Sequence, residues 1–193
     1  MNISRINLDI TYRCNADCIH CSRDANHLIS EELTPAAWEE VVDEAILILP
    51  KQGASFIVQG GEPTISPAFF PILRRIRQGY PSTARPYTSA THVTSLNYSK
   101  RNLLSIATNG IKLDEMMDEL VNCAPENVRV SLDGATAETN DIIRRGVKFK
   151  YLKETIKRAA KVLPVQIATV VMNRNLGEIG EVLDLSVDLG VYF

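Results

Sequence analysis

Residues 5–21 read RINLDITYRCNADCIHC, an alternating run rich in β-formers that feeds straight into three cysteines. The first part, RINLDIT, has the period-two pattern of a strand. The second, CNADCIHC, spaces Cys14, Cys18 and Cys21 as C-x3-C-x2-C, and the remaining cysteine, Cys123, lies far downstream. Soft thiolates select zinc, copper(I) or iron–sulfur clusters. A closed structural zinc site needs four ligands, here the three cysteines with His20 or His27. A cubane that only moves electrons also takes four cysteines. Three cysteines on a cubane leave one iron without a protein side chain, and by the logic of open metal sites that iron can bind substrate.

Outward from this loop, strands and helices alternate. Thr34 and Pro35 read as the N-cap and first residue of a helix striped by Trp38, Val41, Val42, Ala45, Ile46 and Leu49. Residues 54–59, ASFIVQ, form a second strand ending at Gly60-Gly61, and Ser66-Pro67 opens a helix carrying Phe69, Phe70, Leu73 and Ile76 inward. LLSIA (103–107), NVRVSL (127–132) and VQIATVV (165–171) are strands three to five. Helices follow over 113–121, along Phe149, Leu152, Ile156, Ala160 and Leu163, and along Leu176, Ile179, Val182, Leu183 and Leu189. The chain ends at VYF, where a sixth strand would begin. Five strand–helix units in succession predict a parallel sheet covered by helices, with strands buried on both faces. Barrel closure and a doubly wound sheet both satisfy the pattern. The polar stretch 78–102, rich in Ser, Thr and Pro, is too long for an ordinary connection and reads as an insertion before strand three.

The 193 residues fit one domain, and 45% hydrophobic with 23% charged residues is ordinary globular composition. A formal net charge of −2 gives no general pull toward nucleic acid or a membrane surface. No apolar run approaches the ~20 residues of a membrane span, and the start lacks a signal-peptide pattern. The expected location is the cytoplasm, where clustered thiols stay reduced and point to metal rather than disulfides.

Polar, glycine-bearing or asparagine-bearing motifs follow every strand: CNADCIHC, GGEP (60–63), TNG (108–110), SLDG (131–134) and MNRN (172–175). In a parallel α/β array all these ends open on one face, where ligands bind.

Together these residues resemble the radical S-adenosylmethionine (SAM) enzymes. CNADCIHC matches that family's cysteine signature, with His20 as the ring-bearing residue before the third cysteine. QGGEPT (59–64), TNG and SLDG are similar to its motifs after strands two, three and four. NDIIRRG (140–146) is similar to a segment of members that modify peptides and sulfatases. The resemblance implies a partial (β/α) barrel of parallel strands with outer helices: five βα units and the start of a sixth strand, a radical SAM core domain over 1–193 truncated at strand six. It implies that Cys14, Cys18 and Cys21 ligate three irons of a [4Fe-4S] cluster whose fourth iron is chelated by SAM. Gly60, Gly61 and Glu62 would meet the methionine amino group, Arg144 its carboxylate and Ser131 the ribose. The backbone around His20 would meet the adenine edge, and Asn173 would line the adenosine. The resemblance assigns no further catalytic side chain. The implied reaction is reductive cleavage of SAM to methionine and a 5′-deoxyadenosyl radical that abstracts hydrogen from a substrate. That substrate is expected to be a peptide or protein, and the electron to come from a one-electron reductant such as flavodoxin or ferredoxin.

Other residues have plainer readings. Cys123 reads as an ordinary buried thiol at a helix end, His27 and His92 as solvated polar residues, and Trp38 as core. Arg74, Arg75, Arg77, Arg85, Lys100 and Arg101 read as a solvated basic face, and Arg145 as a substrate contact or a turn residue. The rival function is a non-catalytic metal-binding module, with structural zinc or an electron-carrier cluster, which leaves GGEP and SLDG without a role.

Overall fold

The structure, a computed structural model, describes residues 3–22, 31–51, 53–81 and 103–193. His27, Arg85, His92, Lys100 and Arg101, and residues 82–102 of the insertion, lie outside the described residues. The first half of the chain forms β1 (Arg5–Asp9), β2 (Asp17–Cys18), α1 (Pro35–Ile48), β3 (Ser55–Gln59), a 3-10 turn (Pro63–Ile65) and α2 (Phe69–Gly79). Next come β4 (Leu103–Thr108), α3 (Met117–Cys123), β5 (Asn127–Ser131), α4 (Ala137–Ile143) and β6 (Arg144–Arg145). The last elements are α5 (Phe149–Ala159), β7 (Val165–Ala168), a second 3-10 turn (Leu176–Glu178) and α6 (Ile179–Leu189).

β1, β3, β4, β5 and β7 form one sheet in that spatial order, each pair parallel. Every large strand sits beside its predecessor, whereas a doubly wound sheet reverses its order at a switch point. The winding is therefore that of a partial (β/α) barrel. The start of the sixth strand is present too. Tyr192 bridges Gln166 in parallel, its N–H donating to Val165 O at 3.1 Å and its carbonyl accepting from Ile167 N at 2.7 Å.

One strand face packs into the core. Phe56, Val58, Leu104, Ile106, Val128, Val130, Val165 and Ile167 are each at most 2% exposed, in the same cluster as Val42, Ile72, Leu73, Leu152 and Ile156 of the helices. On the opposite face Ile57, Gln59, Ser105, Ala107, Asn127, Arg129 and Gln166 are only partly buried. Strands buried on both faces were the expectation, and the alternation corrects it. Helices cover one face, and the other lines the open interior of the barrel.

Local signals set the helix starts. Thr34 accepts from Ala37 N at 3.2 Å with Pro35 in the first turn of α1. Two boundaries move. Gln78 and Gly79 finish α2, and Tyr80 is buried against Phe56, its hydroxyl donating to the Ile46 and Leu49 carbonyls at the end of α1. The insertion thus starts later than residue 78. Leu176 and Leu183 are exposed, and α6 buries Val182, Ser186 and Leu189 instead.

Candidate functional site

The pairing of β1 with β3 continues beyond the strand ends. Ile10 N donates to Gln59 O at 2.9 Å, Gly61 N to Thr11 O at 2.7 Å and Glu62 N to Arg13 O at 2.8 Å. A Cβ at Gly60, whose φ is +155°, would lie 2.5 Å from Thr11 O, and one at Gly61 would lie 2.3 Å from Arg13 O. Only glycine lets the two loops approach this closely. Further on, Glu32 returns to the same place. Its carboxylate accepts from Thr11 Oγ1 at 2.5 Å, Tyr12 N at 3.2 Å, and Arg13 Nε and Nη2 at 3.1 and 2.8 Å. The loop bearing all three cysteines is thereby tied at its base. Its middle is tied as well, because β2 pairs antiparallel with β6, setting Cys18 opposite Arg144 and Asp17 opposite Arg145.

Glu62 is fully buried and joins β3 to β4. Its Oε1 accepts from Thr64 Oγ1 at 2.6 Å and Thr108 Oγ1 at 2.7 Å, and its Oε2 from Asn109 N at 2.6 Å. Burial pushes its carboxyl pKa up, with these hydrogen bonds opposing. The Asn109 amide reaches the cysteine loop, donating from Nδ2 to Asn15 Oδ1 at 2.8 Å and to Cys14 Sγ at 3.8 Å.

Asp133, also fully buried, is the hub on the other side. Its Oδ1 accepts from Val170 N at 2.8 Å, and Asn140 Oδ1 receives its backbone N–H at 3.1 Å. Asp133 Oδ2 lies 2.7 Å from Arg144 Nε and 3.6 Å from His20 Nε2. Arg144 Nη1 in turn donates to Cys18 Sγ at 3.7 Å. Burial holds the His20 pKa below its usual value, partly offset by the Asp133 charge. Asp133 Oδ2, Arg144 Nε and His20 Nδ1 are buried without an aligned hydrogen-bond partner.

A cavity of about 720 Å³ opens between these hubs, within the ~300–1,000 Å³ of small-molecule sites. Cys14, Cys18, Cys21, His20, Gly60, Gly61, Glu62, Ser131 and Arg144 all line it. Asn173 does not: it is exposed, and Val170 lines the cavity after β7 instead. Asn175 points inward, but only to brace the loop, donating to the Asp133 and Val170 carbonyls at 2.8 Å. Cys123 is buried at the end of α3, away from this cavity.

The thiols differ in setting. Cys14 and Cys18 are half-buried and Cys21 is exposed. Burial pushes the Cys14 and Cys18 pKa values up, and the Arg144 charge opposes this at Cys18. Among the described residues no three His, Cys, Asp or Glu side chains converge tightly enough to hold a single metal ion. All three thiols line the same cavity.

Sequence reasoning missed Asp133 and Asn109 as individual residues, although it singled out their motifs. It also missed α4 and β6, whose only local signal is Thr136 accepting from Thr139 N as the helix cap. The basic residues of α2 are paired, Arg74 with Glu119, Arg75 with Asp43 at 2.6 Å and Arg77 with Glu126 at 2.6 Å. Arg145 is exposed and lies 3.7 Å from Asp17.

The profile of the Radical SAM superfamily matches residues 8–186. The chain belongs to that superfamily. Radical SAM proteins use a [4Fe-4S] cluster and S-adenosylmethionine. Mycofactocin maturase MftC of Mycobacterium tuberculosis (strain ATCC 25618 / H37Rv) is 28% identical over 182 residues, covering 92% of this chain and 40% of that protein. The AdoMet-dependent heme synthase of Methanosarcina barkeri is 30% identical over 189 residues, covering 94% and 46%. Streptococcus suis SuiB bound to S-adenosylmethionine superposes with a TM-score of 0.74 at 15% identity, over 98% of this chain and 39% of that one. The structure of anSMEcpe with bound AdoMet gives 0.69 at 19% identity, over 97% and 49%. At such identities the structural likeness concerns the fold. The chain spans between 40% and 57% of the length of the curated relatives it matches.

The residues present fit the two cofactors. Three thiols come from one tethered loop with no fourth cysteine beside them, and the buried His20 Nδ1 has no hydrogen-bond partner beside a cavity of adequate size.

Proposed function

We propose that this chain is the SAM-cleaving core of a radical SAM enzyme that abstracts hydrogen from a peptide or protein substrate. The observation that carries the reading is a cavity at the carboxyl ends of parallel strands, lined by Cys14, Cys18, Cys21, Gly60, Gly61, Ser131 and Arg144 together. Bound and reduced, the cofactor pair supplies one-electron cleavage of the sulfonium carbon–sulfur bond and hydrogen abstraction from carbon.

Cys14, Cys18 and Cys21 would hold three irons as thiolates, so loading releases protons and is favoured by rising pH, the more so because burial raises two of the thiols. Arg144, held by Asp133, would present its guanidinium to the methionine carboxylate. Gly60 and Gly61 would meet the amino group. Glu62, with both oxygens already accepting hydrogen bonds, would act there through its charge and through the loop it braces. Ser131 would meet the ribose and the His20 backbone the adenine, with Val170 in the place expected of Asn173.

A peptide substrate is supported by the names of similar proteins: a mycofactocin maturase, SuiB bound to its precursor peptide SuiA, and anSMEcpe with a bound peptide. Thiolates that must stay reduced favour a cytoplasmic setting, and a small one-electron carrier would serve as reductant. Among the described residues no helix is long and apolar enough to cross a membrane.

Anaerobic reconstitution with iron and sulfide, then dithionite and SAM, tests the reading in the full-length protein. About four irons with equal sulfide and release of 5′-deoxyadenosine are expected, with both lost in Cys18→Ala. One zinc per chain without sulfide, or an intact cluster that releases no 5′-deoxyadenosine, overturns it.

A further inference from the structure

Among the described residues, three N–H groups point at the candidate ligand sulfurs. Ala16 N donates to Cys14 Sγ at 3.4 Å, Asn109 Nδ2 to the same sulfur at 3.8 Å, and Arg144 Nη1 to Cys18 Sγ at 3.7 Å. Ala16 belongs to the cysteine loop itself, and Arg144 already has a partner in Asp133. Asn109 is different, because it arrives from the end of β4 and nothing in its turn requires the contact.

The orientation of its amide is fixed from three sides. Asn109 Oδ1 accepts from Ile111 N at 3.0 Å, which assigns Nδ2 to the opposite end. That nitrogen donates to Asn15 Oδ1 at 2.8 Å and toward Cys14 Sγ. The backbone N–H of the same residue is held by Glu62 Oε2 at 2.6 Å. With the residue 6% exposed, rotating the amide away from the sulfur would break its hydrogen bonds with Asn15 and Ile111.

We infer that Asn109 is a positioning residue whose N–H···S hydrogen bond to Cys14 raises the reduction potential of the cluster. The inference rests on the cluster assignment of the proposed function. A donor aimed at a ligand sulfur stabilises the added electron, and hydrogen bonds to the sulfurs are among the features that set cluster potentials. In a half-buried site such a dipole is less screened than in water.

The test is a potentiometric titration of the reconstituted cluster, followed by electron paramagnetic resonance without SAM, in wild type and three variants. Asn109→Asp keeps the size and the acceptor for Ile111 N but removes the donor. Asn109→Ala removes the amide. Asn15→Ala removes the competing acceptor and leaves the Cys14 contact. Both Asn109 variants are expected to load iron and sulfide as wild type does and to shift to more negative potential, Asn109→Asp further. Asn15→Ala is expected to shift the opposite way, and it carries the test if the Asn109 variants do not fold. Wild-type potential in the loaded Asn109 variants, or a negative shift in Asn15→Ala, overturns the inference. So does loss of the cluster from both Asn109 variants with an unchanged melting profile, because the residue would then hold the loop rather than tune the cluster. Failure of wild type to take up a cluster instead sinks the assignment on which the inference rests.

Discussion

Arg144 and Arg145 are adjacent, identical in type and opposite in circumstance. The Arg144 side chain is 8% exposed beside a fully buried Asp133, whereas that of Arg145 is 63% exposed beside an exposed Asp17. Removing one partner of a buried pair leaves an uncompensated charge, at a cost of about 3–5 kcal/mol. An exposed pair is worth less than about 1 kcal/mol. Urea unfolding of the cofactor-free protein should therefore show a large drop in midpoint for Arg144→Ala and almost none for Arg145→Ala. This contrast was hidden in the sequence. The RRG run marked the segment as special, but the burial of Arg144 depends on Asp133, eleven residues upstream in the loop after β5. The cysteines were legible because their chemistry and spacing lie within one loop. Asp133 and Asn109 were not, since their importance comes from contacts that only the packed strands create.

Between residue and domain stands the cysteine loop, held in its middle by the β2–β6 pair and at its base by the Glu32 carboxylate. Burial would raise the pKa of Glu32, but hydrogen bonds from Thr11 and Arg13, with the Arg13 charge, outweigh it and hold the carboxyl below the usual glutamate value. A lowered folded-state pKa means that the ionised form favours the fold. This contribution is fully present above the ordinary glutamate value and is lost as pH falls through the lowered one. Melting of the wild type across the acid range should thus show a steeper loss of stability than Glu32→Gln, which starts lower at neutral pH and lacks that portion of the titration. Helices and strands with strong periodicity were readable at this scale. α4, β2 and β6 were not, because two paired residues have no period and a seven-residue helix carries little more. Leu176 and Leu183 misled for a related reason: they fit a helical stripe, but Leu176 falls in the 3-10 turn before α6 and Leu183 lies off the side that buries Val182, Ser186 and Leu189.

For the whole molecule, the order of strands makes β4 central, flanked by β3 and β5, while β1 lies at the edge. Native-state amide exchange should be slowest along Leu104 and Ile106, each at most 1% exposed, and fastest among the strands in β1. Equal protection in both would contradict this sheet. The sequence pointed to parallel βα winding, yet the choice between barrel and doubly wound sheet needed the spatial order, which no local pattern encodes. The alternating inner face explains why it was not obvious, since Ser105, Asn127, Arg129 and Gln166 interrupt runs that a two-sided core would keep apolar. The sulfurs also differ in access: Cys123 is sealed in the core, Cys14 and Cys18 are half-covered, and Cys21 stands at the rim. An alkylating reagent offered to the metal-free chain should consequently modify Cys21 first, Cys14 and Cys18 more slowly and Cys123 only on unfolding, a sequence that peptide mapping would record as a staircase.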